Sequence, residues 1–139
     1  MIIAIDFDGT CVSHAFPKVG KEIGSPEVLR KLVDNNHQLI LWTMRSDVEN
    51  VPSPEFDGLF SGKYLTDAVE WFNQNNIPLY GVQTNPTQKE WTTSPKAYAH
   101  LYIDDSALGI PLIYDKNEDR PYVDWKKTED WLKEKGYIK

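Results

Sequence analysis

Four carboxylates stand at the ends of two apolar runs. The run IIAI leads into Asp6-Phe7-Asp8-Gly9-Thr10, and the run LYI leads into Asp104-Asp105. Residues two apart on an extended strand share a face, so Asp6 and Asp8 can look the same way. Carboxylates gathered at one place repel each other unless a cation neutralises them. An all-oxygen set suits a hard cation, Mg²⁺ before others. Taken alone, Asp8-Gly9 reads equally well as a hairpin-turn dipeptide, and Asp104-Asp105 as a helix cap after a strand. An EF-hand loop also begins D-x-D, but its acidic twelfth ligand would fall on Pro17, which excludes it.

Elements of alternating type must position these groups. Residues 2–7 read as a strand that is apolar on both faces. Ser25-Pro26 reads as an N-cap followed by proline at the first helical position. The helix it opens carries a stripe of Val28, Leu29, Leu32 and Val33 and ends near Asn35-Asn36. Residues 38–42, QLILW, form a second buried strand. A loop with Pro52, Pro54, Gly58 and Gly62 follows, then a helix over 65–75 with Leu65, Ala68, Val69 and Phe72 facing inward. A third strand is expected over 78–83. A polar loop and a short turn or helix over 96–99 lead into the LYIDD strand. A last strand over 112–114 and a last helix over 128–135, docked by Trp125 and Trp131, complete the chain. This alternation predicts one α/β domain over 1–139, a Rossmann-like three-layer sandwich with a central parallel sheet covered on both sides. Ligands of such sheets sit beyond the carboxyl ends of the strands. DFDGT, the TMR after LILW and the DD after LYI would then share one rim.

Asp6-Phe7-Asp8-Gly9-Thr10, Thr43 after LILW, Lys96, and Asp104-Asp105 after LYI resemble, in order, the four motifs of the haloacid dehalogenase (HAD) superfamily of phosphatases. The resemblance spans Asp6 to Asp105. It implies a Mg²⁺-dependent phosphomonoester hydrolase in which Asp6 is the nucleophile, forming an aspartyl-phosphate. Asp8 would be the general acid and then the general base. Mg²⁺ would be held by the Asp6 carboxylate, the Asp8 backbone carbonyl and the second acidic pair, Asp105 directly and Asp104 through water or in support. Thr43 would donate its hydroxyl to a phosphoryl oxygen, and Lys96 would supply positive charge, with Lys89 as the alternative lysine. Backbone N–H groups around Phe7 and Asp8 would complete the cradle; Phe7, Thr10, Met44 and Arg45 are the expected substrate-contacting positions. Arg45, two residues past Thr43, suits an anionic group or a surface salt bridge. Neither 12–24 nor 43–96 leaves room for a full cap domain, so the resemblance implies a capless or minimally capped member. The alternatives are a phosphotransferase of the same family and a catalytically idle phospho-ligand binding module. His14 reads as a residue of a flap, Trp91 as a stacking or a buried ring, and His37 and His100 as structural.

Composition narrows the partners. The net charge of −6 disfavours broad electrostatic binding to nucleic acid or to an anionic membrane. A small phosphorylated substrate is therefore expected ahead of a polynucleotide end. No apolar run approaches the roughly 18 residues a membrane span needs. The first run is too short and lacks the basic flank of a signal peptide, so a cytoplasmic location is expected. The single cysteine, Cys11, allows no internal disulfide and reads as a small packing residue.

Overall fold

Four short strands pair in parallel here, and the two at the centre of the sheet are the ones buried on both faces. A computed structural model describes residues 1–53, 55 and 58–139; Pro54, counted in the expected loop, lies outside them. The strands are β1 (Ile2–Ile5), β2 (Gln38–Leu41), β5 (Gly81–Val82) and β6 (Leu101–Ile103), arranged β5-β2-β1-β6 with every pair parallel. The central parallel sheet with its helices is the α/β class that the alternation predicts.

Register decides which side chains form the core. Ile3 pairs with Leu39 and Leu101, and Ile5 with Leu41 and Ile103, so these six share one face. All three helices contribute to the core on that face: α1 (Ser25–Asp34) through Val28, Leu29 and Leu32, α2 (Tyr64–Gln74) through Ala68, Trp71 and Phe72, and α3 (Trp125–Glu134) through Trp125 and Leu132. The opposite face carries Ala4, Ile40 and Tyr102. There the third layer is an irregular segment rather than a helix. The Tyr102 hydroxyl donates to the Ala97 carbonyl, and Ala97 is buried.

Several elements differ from the expectation for physical reasons. Ser25 is the first residue of α1 rather than its cap; Gly24 caps it in the left-handed region at φ 97°. The buried Ser25 hydroxyl donates instead to the Cys11 carbonyl at 2.5 Å. Part of the expected loop after Thr43 is a hairpin, β3 (Asp47–Pro52) against β4 (Leu59–Lys63). No residue of its strands is fully buried, so they carry no apolar run that would mark a core strand. The third parallel strand shrinks to Gly81–Val82. The turn expected over 96–99 is irregular, and a 3-10 turn forms earlier at Gln88–Glu90. A hairpin of β7 (Leu112–Ile113) and β8 (Tyr122–Val123) precedes α3. That helix begins at Trp125, because Asp124 accepts the Lys127 N–H at 3.1 Å and caps it. Trp125 is buried as expected, whereas Trp131 is 42 % exposed. Among the described residues no helix is long and apolar enough to cross a membrane.

Candidate active site

The turn after β1 is built to present carboxylates. The Asp6 N–H donates to the Ile103 carbonyl at 3.0 Å, continuing the ladder one residue past the strand. The chain then folds tightly, with the Phe7 carbonyl accepting from Thr10 at 3.1 Å and from Cys11 at 2.8 Å. Gly9 sits at φ +80°, and a Cβ there would fall 2.0 Å from His14 Nε2 and 2.5 Å from Asp105 Oδ2. The last part of the chain braces this turn. Val123 N–H donates to the Gly9 carbonyl at 3.0 Å, and the buried Trp125 indole donates to the Thr10 carbonyl at 2.7 Å. Cys11 is fully buried behind it, its thiol on the Asp6 carbonyl at 3.3 Å. Burial and the nearby Asp6 and Asp8 charges push that thiol's pKa well above its ordinary value.

Three carboxylates meet in front of the turn. Oxygens of Asp6, Asp104 and Asp105 lie within 4.8 Å of one another. The Thr10 hydroxyl donates to Asp6 Oδ2 at 2.8 Å and accepts the Asp105 N–H at 2.9 Å, so one buried side chain ties the two acidic strand ends together. His14 Nε2 contacts Asp105 Oδ2 at 2.8 Å. Burial pushes the Asp6 carboxyl from 3.8 up to about 8; the Thr10 hydroxyl opposes the rise and the Asp104 charge adds to it. Burial also raises Asp104, against the Ser106 N–H that it accepts and with the Asp105 charge. Three crowded oxygen donors, two of them driven toward their neutral forms, fit a hard divalent cation.

Asp8 looks elsewhere. Its Oδ2 accepts Arg45 Nε and its Oδ1 accepts Arg45 Nη2, both at 2.8 Å. Arg45 is only 2 % exposed. Its remaining donors reach the carbonyls of Lys18 at 2.8 Å, Tyr64 at 3.1 Å and Pro17 at 3.4 Å. The guanidinium lies between the Phe7 and Phe16 rings, 5.0 and 5.2 Å from their centroids. Of the two readings open for Arg45, the pairing is an ion pair, but a buried and bidentate one rather than a surface contact.

Thr43 is held by a residue that the sequence did not single out. Gln83 Oε1 accepts the Thr43 N–H at 2.8 Å, and Gln83 Nε2 donates to the carbonyls of Thr43 at 2.5 Å and Arg45 at 3.1 Å. Gln83 adopts φ 60°, a region where a non-glycine residue is uncommon. Strain of this kind persists where surrounding bonds over-determine the conformation.

The structure brings Asp6, Asp8, Thr43, Met44, Arg45, Asp104 and Asp105 to one cleft of about 450 Å³. Phe7 and Thr10 stand behind it, both fully buried; the Phe7 N–H and the Thr10 hydroxyl bond the Asp6 carboxylate. Lys96 does not line the cleft, and its ammonium lies 5.5 Å from the Tyr102 ring centroid. The backbone around it is held by Gln88, a nearly buried amide that accepts the Tyr98 N–H at 2.7 Å and donates to the Ser94 and Lys96 carbonyls. Lys89 lies in the 3-10 turn and lines a different depression. Trp91 is exposed and packs edge-on against Tyr98, away from the cleft. His37 bonds the Tyr137 carbonyl, and His100 the Ile2 N–H, as structural histidines do. Phe16, Ser106 and Arg120 also line the cleft. No local pattern marks them, since each belongs to an irregular segment.

No model of a known protein family matches the chain. No curated protein matches it either. Among solved structures, a conserved protein coded by a locus of Bacteroides thetaiotaomicron is similar, with a TM-score of 0.70 at 32 % identity. The alignment covers 97 % of this chain and 91 % of that one.

Proposed function

Since this chain belongs to the family of that conserved Bacteroides thetaiotaomicron protein, we propose, on the chemistry of its own site, that it is a Mg²⁺-dependent phosphomonoester hydrolase of HAD type. The observation that carries the reading is the meeting of Asp6 with Asp104 and Asp105 at the sheet's carboxyl rim, facing the Thr43 loop across one cleft.

Asp6, Asp104 and Asp105 are the residues that would hold Mg²⁺, with the Asp8 carbonyl as a backbone donor. When bound, the ion neutralises the carboxylates and lets an anionic nucleophile approach an anionic phosphoryl group. An Asp6 oxygen forms a bond to phosphorus while the ester P–O bond breaks, and the departing oxygen takes a proton from Asp8. Water then attacks phosphorus and passes a proton to Asp8. The P–O bond to Asp6 breaks, phosphate leaves, and both carboxyl groups are restored. Thr10 holds the Asp6 carboxylate in its orientation through the 2.8 Å hydrogen bond. Gln83 holds the Thr43 loop, from which the Thr43 hydroxyl would meet a phosphoryl oxygen. Arg45 fixes Asp8, and one of its two contacts must give way for Asp8 to reach a leaving group.

That last feature favours a second reading, a phospho-ligand binding module that does not turn over. The two separate in one experiment. The wild-type protein should hydrolyse 4-nitrophenyl phosphate with Mg²⁺, EDTA should abolish the rate, and Asp6→Asn should leave none. Beryllofluoride with Mg²⁺ should raise the melting temperature. Full turnover by Asp6→Asn refutes the nucleophile assignment; absent turnover with retained phosphate binding favours the idle module. The proposal includes a small substrate rather than a polynucleotide end, and a cytoplasmic compartment in keeping with a lone buried cysteine.

A further inference from the structure

The charges lining the cleft do not balance in pairs. Asp8 is taken by Arg45, and Asp105 is contacted by His14. Arg120 is the remaining cation among the lining residues. It is exposed, and among the described residues no hydrogen bond or ion pair engages its guanidinium. It stands at the end of the polar turn before β8. The carboxylates are half-buried or deeper, whereas the wall that faces solvent is apolar: Met44 is 97 % exposed and Phe16 56 % exposed, both lining the same cleft. Phe16 is not a loose ring. It packs edge-on against Tyr64, with ring centroids 5.2 Å apart, and over the Arg45 guanidinium. An aromatic face held in place at a cleft mouth is a platform for a flat group.

Resting on the phosphatase reading above, we propose that the cleft takes an aryl phosphate whose ring bears a second anionic group, the ring seated against Phe16 and Met44 and the distal anion received by Arg120. Arginine suits a carboxylate or a further phosphate here, because its planar fork meets such groups with two parallel N–H donors. The transferring phosphoryl group stays with Asp6 and the Thr43 loop, so Arg120 sets specificity rather than chemistry.

The test compares phenyl phosphate with 4-carboxyphenyl phosphate at fixed Mg²⁺, read as phosphate release. Wild type should prefer the carboxylated ester in kcat/KM by roughly three- to tenfold, the size of one charge-assisted contact at an exposed rim. Arg120→Ala should collapse that ratio to about one, the change falling mainly in KM, and Arg120→Lys should restore part of it. Phe16→Ala should lower kcat/KM for both aryl esters, because it removes the shared platform. If wild type hydrolyses both esters without preference, the inference is overturned while the phosphatase reading stands. Equal losses on both esters in Arg120→Ala overturn it as well, and assign Arg120 to the transferring phosphate. Hydrolysis of neither ester by wild type overturns the phosphatase reading and this inference together.

Discussion

Asp6→Asn should make the protein more stable while removing its activity. The Asp6 carboxyl is pushed from 3.8 up to about 8, chiefly by burial and with the Asp104 charge adding to it. A rise of about 4 units at 1.36 kcal/mol per unit sets a ceiling of ~5 kcal/mol on the cost of ionising Asp6 in the fold. Asp104 shares that repulsion, so about 2–4 kcal/mol is the expected contribution of Asp6 itself. The sign follows from proton binding. The folded state holds this proton more tightly than the unfolded chain, so the associated stability is full below about pH 4 and is lost as pH rises through about 8. Asparagine carries no charge at any of these pH values, and its carbonyl can still accept from Thr10. In EDTA at pH 8 the variant should therefore melt above wild type, by about 6–15 °C for a chain of this size. Near pH 4 the difference should vanish. Saturating Mg²⁺ should recover the gap in wild type, since a ligand at about a hundred times its Kd contributes ~3 kcal/mol, and should do little for the variant. The measurement is a set of thermal melts at pH 4, 6 and 8, with EDTA and with Mg²⁺. A variant that melts at or below wild type at pH 8 in EDTA, or a gap that does not change with pH, refutes the reasoning.

Three further outcomes follow from the contacts. Arg45→Met leaves Asp8 and three carbonyls without their donor, and a broken buried pair costs about 3–5 kcal/mol; urea midpoints should fall accordingly, with part of the loss recovered in Asp8→Asn/Arg45→Met. Gln83→Ala releases the Thr43 loop and should lower kcat/KM for 4-nitrophenyl phosphate by about tenfold with the fold intact by circular dichroism, as loss of a positioning contact does; wild-type rates would refute this role. Gly9→Ala puts a methyl group against His14 and Asp105 at a left-handed φ, and should cost ~2 kcal/mol or more by denaturant melts and blunt the stabilisation by Mg²⁺.

Features that neighbouring residues encode are legible in the sequence. DFDGT and LYIDD are strand ends followed by carboxylates, and strand direction alone brings them to one rim. The helix over Tyr64–Gln74 carries its periodicity on its own residues. The hairpin of β3 and β4 is not legible because its exposed strands carry no core pattern, and α3 begins three residues before the expected 128 because Asp124 caps it. Lys96 follows directly from neither composition nor order. Its backbone is held by Gln88, eight residues earlier, and its ammonium lies over Tyr102, contacts that no local pattern encodes.

The sequence by itself determined the α/β class and the convergence of Asp6, Asp104 and Asp105, because apolar runs of strand length and their polar ends are properties of neighbouring residues. The tertiary structure alone decided what those residues face. Asp8 pairs with Arg45 across 37 positions, Gln83 reaches back 40 positions to Thr43, and Trp125 braces Thr10 across 115. Such contacts depend on how strands register and helices pack, which no local pattern encodes. They make the difference between a rim that merely carries carboxylates and a cleft in which each one has a distinct partner.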